Sequence, residues 1–379
     1  MENKKKLLLI TQSGRGGLRR HICDLLENLN YQQFDVWIIY NDEKVDDVFK
    51  STISKLSNQI HPIIVKEFVR EVKFIKDFIA FIKVNRVIKR VKPDIIHCHS
   101  SKAGVLGRLA ARYNHVPKIL YTAHGYAFLS PEFSNKKKKL FILTERFLSK
   151  YATTKNINTS FGEKEAALKE KLDIESKFEV IYNGLENIKY PLKEDIRKSL
   201  KVTSKKFLFG TMARMDFPKN PELFFSIAKK VVEIDSNIHF LWIGDGEFKS
   251  RIKNFILENN LSSNIHLMDY QKNADILVLG FDAFFSTSNG ESFGYSVAEA
   301  LRAGVPVFIS DVMGHKEMVV ENKNGLLFEQ GNVLENIEQI FDFIDWAKNT
   351  NSETIRETFA NRFSLEKMIK EITNFYLEG

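Results

Sequence analysis

Cysteine is almost absent from this chain of 379 residues: Cys23 and Cys98 are the only two. Two thiols cannot build a disulfide framework and lack the paired spacing of a cysteine zinc site, so a cytoplasmic setting is the expectation. Long apolar runs are missing as well. No stretch approaches the roughly 18 apolar residues of a membrane-spanning helix. The start, "MENKKKLLLITQSG", is basic and then apolar for only four residues. That is too short for a signal peptide and reads as a first β-strand. Low-complexity blocks and solenoid repeats are also absent, and with 44% apolar and 27% charged residues the composition is that of a globular protein.

Charge is unevenly divided. Residues 1–185 hold 33 Lys+Arg against 20 Asp+Glu, a net +13, whereas the remainder carries −5 within a whole-chain +8. A basic first half points to an anionic partner for that half: nucleic acid, a membrane surface or a phosphorylated substrate.

Short strand-like runs alternate with helix-length ones. "KLLLIT" (6–11), "DVWIIY" (35–40), "DIIHCH" (94–99), "KILYTAH" (118–124) and "FEVIYNG" (178–184) are separated by amphipathic segments such as 69–91 and 138–152. After the polar stretch "YNGLENIKYPLKED" the pattern restarts with "FLFGTMAR" (207–214), "IHFLWIGDG" (238–246), "NIHLMDY" (264–270), "AFFSTS" (283–288) and "VPVFIS" (305–310). Strands alternating with helices imply parallel sheets. Length and this restart predict two doubly wound α/β domains, 1–185 and 190–362, with ligands bound at strand carboxyl ends in a cleft between them. The segment 363–379 reads as an amphipathic helix packing back toward the first domain.

Several loops could carry chemistry. "SGRGGLRRH" follows the first strand and opens a helix, so Gly16 and Gly17 would let backbone approach an anion; a structural turn is the alternative. Its spacing is not the dinucleotide fingerprint. Arg214 and Lys219, five apart in "ARMDFPKNPEL", suit a diphosphate, or are two solvated loop cations. Gly244 in "IGDGEF" marks a second strand-to-helix turn that passes close to a ligand or is simply a turn.

In "NGESFGYSVAEALRAGVPVFIS" (289–310), Glu291 would lie in a loop and Glu299 roughly two turns down the next helix, at most on the order of 12 Å apart. That span suits the two ends of a nucleotide–sugar, while the N–H groups of Ser292, Phe293 and Gly294 would meet its oxygens. Alternatively Glu291 complements a helix dipole and Glu299 is a solvated face residue.

These elements occur together and in order. With "PDIIHCHSSKAGVLGRLAA" (93–111), "YTAHGYAF" (121–128) and "VIYNG" (180–184), the constellation resembles the retaining glycosyltransferases of family 4, in the capsule and exopolysaccharide branch. The resemblance implies the GT-B fold, two Rossmann-like domains facing a central cleft. It implies that Arg214 and Lys219 hold a donor diphosphate, that Glu299 binds ribose, and that Glu291 with 292–294 contacts the donor sugar. His124 would face that sugar from the first domain, and the Gly16–Gly17 loop would close over phosphate and acceptor. His124, Glu291, Arg214 and Lys219 are thus the catalytic candidates, and Gly244 joins the donor-binding set. Two departures stand out. "FFSTSNGE" lacks the proline usual before the first glutamate, and "HLMDYQKN" lacks the usual glycine.

No Asp-x-Asp motif is present, so no metal is expected, and the only cofactor-like molecule is a nucleotide-sugar co-substrate, UDP-sugar foremost. The implied activity is metal-independent transfer of a hexosyl or N-acetylhexosaminyl group to a lipid-diphosphate-linked glycan, with retention. Basic residues beside apolar ones, namely Lys73 and Lys76 in 69–91 and Lys136, Lys137, Lys138 and Lys139 before "LFILTERFL", suit an anionic membrane surface at its cytoplasmic face. Nucleic acid is not an expected partner, because no recognisable module accompanies the charge. The rival readings are a GT-B nucleotide-sugar epimerase and a catalytically silent subunit that binds donor or membrane.

Overall fold

The computed structural model describes residues 4–69, 72–200, 202, 206–331 and 333–378. The chain divides into two compact units, Met1–Gly184 with Leu365–Gly379, and Leu185–Ser364.

In the first unit seven parallel strands, β1 (Lys5–Thr11), β2 (Phe34–Tyr40), β3 (Ile60–Ile64), β4 (Ile95–His99), β5 (Lys118–Thr122), β6 (Lys155–Asn158) and β7 (Phe178–Val180), are ordered β3-β2-β1-β4-β5-β6-β7. Period-two alternation explains why β1 is apolar on both faces. Leu7 and Leu9 enter one core with the helices Gly16–Asn28 and Leu365–Leu377, whereas Leu8 and Ile10 enter the other with Phe74–Val91.

The second unit repeats the plan with β8 (Phe207–Met212), β9 (Ile238–Ile243), β10 (Ile265–Met268), β11 (Ala283–Ser286), β12 (Val307–Ser310) and β13 (Gly325–Phe328), ordered β10-β9-β8-β11-β12-β13. Its core is aromatic: Phe209, Phe224, Phe240, Trp242, Phe285, Phe308 and Phe343 pack between the sheet and helices such as Pro221–Ile234 and Val333–Asn349. Both sheets reverse strand order beside their first strand, at β1/β4 and at β8/β11. Such switch points are where open α/β sheets bind ligands, outside the strand carboxyl ends. This is the two-domain Rossmann-like architecture expected from the motifs.

Several local expectations need adjustment. The helix anticipated over 69–91 starts at Phe74, where the Asp77 carboxylate accepts a 3.0 Å hydrogen bond from the Lys73 backbone N–H; Arg70 and Glu71 lie outside the described residues. Strand β3 contains Pro62 and occupies a sheet edge, the one place a strand tolerates a missing N–H donor. Glu299 lies one turn into its helix rather than two, because it is four residues beyond the start of Tyr295–Ala303. Among the described residues no helix is long and apolar enough to cross a membrane.

Candidate functional site

In the second unit, the loops after β8 and β11 are joined at the switch point. Asn220 takes a left-handed backbone conformation, φ +50°, and its side chain caps the helix Pro221–Ile234 by accepting from Leu223 N–H. Thr287 Oγ1 donates to the carbonyls of Asn220 at 2.8 Å and Lys219 at 3.2 Å. Asn289 bonds through its backbone N–H to Pro218 O and through Nδ2 to Phe217 O, both at 2.8 Å. This bracing brings Lys219 Nζ onto Glu291 Oε1, which also accepts from Ser288 Oγ at 3.0 Å. The two side chains are 23% and 14% exposed.

Electrostatics explain how a carboxylate stays there. Burial pushes the Glu291 carboxyl up, but Lys219, His315 and the hydrogen bonds from Lys219 and Ser288 outweigh it and leave it below its ordinary value. Arg214 reaches out, 78% exposed, and pairs with Asp216 at 2.8 Å. Burial raises the Asp216 carboxyl despite Arg214 and Lys219, and its Oδ1 has no hydrogen-bond partner. Two cations and an under-satisfied carboxylate thus line one loop, a charge arrangement open to an anion.

Beside Glu291, Gly294 adopts φ +97° and begins the helix Tyr295–Ala303, which has no side-chain cap and no acidic residue in its first turn. The positive end of its dipole favours an anion there. The Phe293 ring packs on Tyr295 and Phe363, so only its backbone can serve a ligand. Glu299 is half-buried on that helix. Gly244 has φ +140°, and a Cβ there would meet Ala213 O at 2.1 Å, so the glycine lets the Arg214 loop pack on the end of β9.

His315 and Ser288 were not singled out from the sequence. His315 is fully buried; its Nδ1 donates to Ser310 O at 3.0 Å, and its Nε2 has no partner. A Cβ on Gly294 would come within 3.9 Å of that nitrogen. Nothing in "DVMGHKE" marks the histidine without the loop geometry. Ser288 stands in the segment where proline was expected, and its hydroxyl serves Glu291. A cavity of about 350 Å³ lined by Lys193, Asp282, Gly304 and Ser352 lies at the opposite strand ends and includes none of these residues.

In the first unit, Gly16 has φ +59° with open space around it and starts the uncapped helix Gly16–Asn28, and Gly17 is exposed. His124 follows β5 at φ +54° and is half-buried. It joins a row of histidines. His99 Nδ1 is 3.1 Å from His124 Nε2, and the His21 ring packs edge-on to His124 with centroids 4.7 Å apart. Burial lowers all four imidazoles, His21 to about 4 and His97, His99 and His124 well below the usual range. Glu163, buried, accepts from the backbone N–H groups of Gly125 (2.6 Å) and Thr159 (2.8 Å) and so fixes the His124–Gly125 turn.

The basic helices also divide in two. Phe74–Val91 buries Ala80, Val84, Val87 and Ile88 yet exposes Phe74, Ile75 and Phe78 by 86%, 78% and 65%. Asn135–Ala152 exposes Leu140, Leu143 and Phe147. Lys73, Lys76, Lys136, Lys137 and Lys139 are exposed and Lys138 half-buried.

Comparison with known proteins agrees with this organisation. The family model described as Glycosyltransferase Family 4 matches residues 15–187, and that described as Glycosyl transferases group 1 matches 193–358. The chain is 28% identical over 374 residues to the Escherichia coli UDP-Gal:alpha-D-GlcNAc-diphosphoundecaprenol alpha-1,3-galactosyltransferase, covering 96% of this chain and 94% of that one. It is 25% identical to the Staphylococcus aureus capsular polysaccharide biosynthesis glycosyltransferase CapM, covering 99% and 97%. The crystal structure of Anabaena HepE in complex with UDP and glucose shares the fold, with a TM-score of 0.81 at 20% identity over 98% of this chain and 99% of that one. The chain belongs to the glycosyltransferases, with a family 4 domain followed by a group 1 domain.

Proposed function

We propose that the protein transfers a hexosyl or N-acetylhexosaminyl group from a UDP-sugar to a lipid-diphosphate-linked glycan, with retention of anomeric configuration, in the building of a surface polysaccharide. The observation that carries this reading is the braced Lys219–Glu291 pair at the β8/β11 switch point, beside an uncapped helix N-terminus. Lys219, Arg214 and the N–H groups of 292–294 stabilise the charge that develops on the departing diphosphate. Glu291 accepts from a hydroxyl of the donor sugar, and Glu299 accepts from the ribose. No carboxylate stands in these motifs as an evident nucleophile, so retention fits departure and attack on one face of an oxocarbenium-like centre. His124, held by the turn at Gly125, is the first unit's contribution.

UDP in the HepE complex and the lipid-diphosphate acceptor in the name of the Escherichia coli relative support the two substrate classes. An anionic membrane surface at the cytoplasmic face, where lipid-linked acceptors would be met, fits the exposed Phe74, Ile75, Phe78, Leu140 and Leu143 among lysines. The cations of the 214–219 loop stand in for a metal.

The test is release of UDP from a panel of UDP-sugars by the purified protein, with and without a lipid-diphosphate-linked glycan, in excess chelator. Acceptor-stimulated release with one donor is expected. An interconverted nucleotide sugar would instead establish an epimerase, no turnover of any donor a silent subunit, and strict dependence on added Mg²⁺ or Mn²⁺ would remove the metal-independent mechanism.

A further inference from the structure

Four of the nine histidines gather on one side of the first unit's switch point, and the glycosyl-transfer reading uses only one of them. His21 comes from the second turn of the helix Gly16–Asn28, His97 and His99 from the end of β4, and His124 from the turn after β5. His97 is fully engaged: Nδ1 lies 2.8 Å from Tyr376 Oη and Nε2 2.8 Å from Thr122 Oγ1. The other three are not. His21 Nδ1 donates to Asn183 Oδ1 at 2.8 Å, which places the lone pair on Nε2, and that atom is buried without a partner. His99 Nε2 is likewise buried and unpartnered. His21 is 2% exposed and His99 0%, so water does not answer either nitrogen from outside.

One potential ligand nitrogen from each of His21, His99 and His124 lies within 4.8 Å of the others. Three nitrogens at 2.0–2.1 Å from a tetrahedral ion stand roughly 3.3 Å apart. His99 Nδ1 and His124 Nε2, 3.1 Å apart in a ring-to-ring hydrogen bond, already match one such edge, and an ion entering there displaces the proton they share. His99 would then ligate through Nδ1 and carry its proton on Nε2. We propose that His21, His99 and His124 form a binding site for a divalent transition metal of the Zn²⁺ class.

The chemistry of the donors selects the ion. Imidazole nitrogens suit Zn²⁺, Co²⁺, Ni²⁺ and Cu²⁺, whereas Mg²⁺ and Ca²⁺ require oxygen ligands that this trio lacks. Burial keeps the rings neutral, the form that ligates. Asn183 acts as the outer-shell partner that fixes the His21 tautomer and aims Nε2, the arrangement usual for metal-bound histidines. Three protein ligands leave a fourth position for water or a substrate oxygen, as in exchangeable rather than closed structural sites. One consequence rests on the glycosyl-transfer reading: an ion holding His124 Nε2 removes it from the donor sugar, so Zn²⁺ inhibits transfer instead of supporting it.

The test uses the full-length chain without an affinity tag, stripped with chelator and titrated with Co²⁺ and then Zn²⁺. One equivalent of Co²⁺ is expected to give the visible absorption of a four-coordinate nitrogen site, and Zn²⁺ to displace it. His21→Gln is expected to weaken binding at least tenfold, and Asn183→Ala to cost about 10- to 100-fold, the usual range for an outer-shell partner. The half-buried His124→Gln serves if His21→Gln does not fold. His239 and His266, whose ring nitrogens lie 3.1 Å apart on the second unit, are a competing surface pair, and the H239Q/H266Q variant should bind unchanged. Absence of stoichiometric binding overturns the proposal, as does binding undiminished in His21→Gln and His124→Gln, or binding lost in H239Q/H266Q. Because the readout is optical, these outcomes stand whether or not sugar transfer is found.

Discussion

Lys219 donates from Nζ to Oε1 of Glu291 across 72 residues of sequence, and the loops carrying them are held together by bonds from Thr287 and Asn289. The bracing matters as much as the ion pair, because a largely buried pair repays its desolvation only when its geometry is held and its remaining polar atoms are bonded. It holds the ammonium at Glu291, next in sequence to the 292–294 segment where the proposed function places the donor diphosphate.

Replacing Lys219 by Ala should therefore lower turnover by about 10²- to 10³-fold, the cost of losing one preorganised contact to developing charge. Glu291→Gln should lower it as well, and the double variant should fall short of the product of the two effects, because the residues share a network. Steady-state UDP release by the three variants decides; a near-normal rate for Lys219→Ala would reduce it to a surface cation.

Gly244→Ala tests the packing beneath Arg214. The new Cβ would meet Ala213 O at 2.1 Å from a backbone at φ +140°. A loss of at least about 2 kcal/mol is expected from the strain and clash. The thermal midpoint should drop, and UDP affinity should fall with it as the 213–215 segment is displaced. A fully stable variant with normal affinity would show that the close approach is dispensable.

Acid should weaken the second unit in two steps. His315 is held below its ordinary value by burial, so it binds fewer protons folded than unfolded, and stability falls as pH drops below 6.5. Glu291 is held below 4.5, so its contribution is present above that pH and is lost on further acidification through its folded value. Each group sets a slope of at most about 1.4 kcal/mol per pH unit. Thermal midpoints from pH 7.5 to 3.5 should flatten in the upper window for His315→Asn and in the lower one for Glu291→Gln. Unchanged slopes would assign the acid sensitivity elsewhere.

Membrane contact should depend on both apolar and basic groups. The wild-type chain should float with vesicles of anionic lipid and be released by high salt, since each basic residue near the surface is worth about 1 kcal/mol. Phe74→Glu with Phe78→Glu should abolish flotation while leaving the thermal midpoint unchanged, because both rings are exposed. Retained flotation would exclude this helix as the contact.

Most of the fold was legible because parallel strands buried on two faces are continuous apolar runs, as in "KLLLIT" and "IHFLWI". What escaped was short or polar. β6 reads "KNIN", and its Asn156 is tolerated because it donates to Ser149 Oγ at 2.8 Å, a partner seven residues away that no periodicity reveals. β13, "GLLF", is a short edge strand beside β12. In the candidate site, Arg214, Lys219 and the two glutamates stood out through spacing and family resemblance. Asn183 and Glu163 did not, because their partners His21 and Gly125 lie 162 and 38 residues away. Ser288 and His315 bond within their own loops, and only the folded loop turns them toward Glu291. The depth of Glu299 was overstated, because a residue four positions beyond a start at Tyr295 is one turn in, not two.

The helix Leu365–Leu377 belongs to the first unit, where Tyr376 packs edge-on to Phe34 and hydrogen-bonds to His97. During synthesis, then, the first unit cannot finish before the second has been made. Its sheet can assemble early, but one core face stays open and His97 lacks its hydroxyl until the ribosome has passed residue 376. Expression of 1–184 alone should yield an aggregation-prone species, and supplying 365–378 on a short linker should restore it.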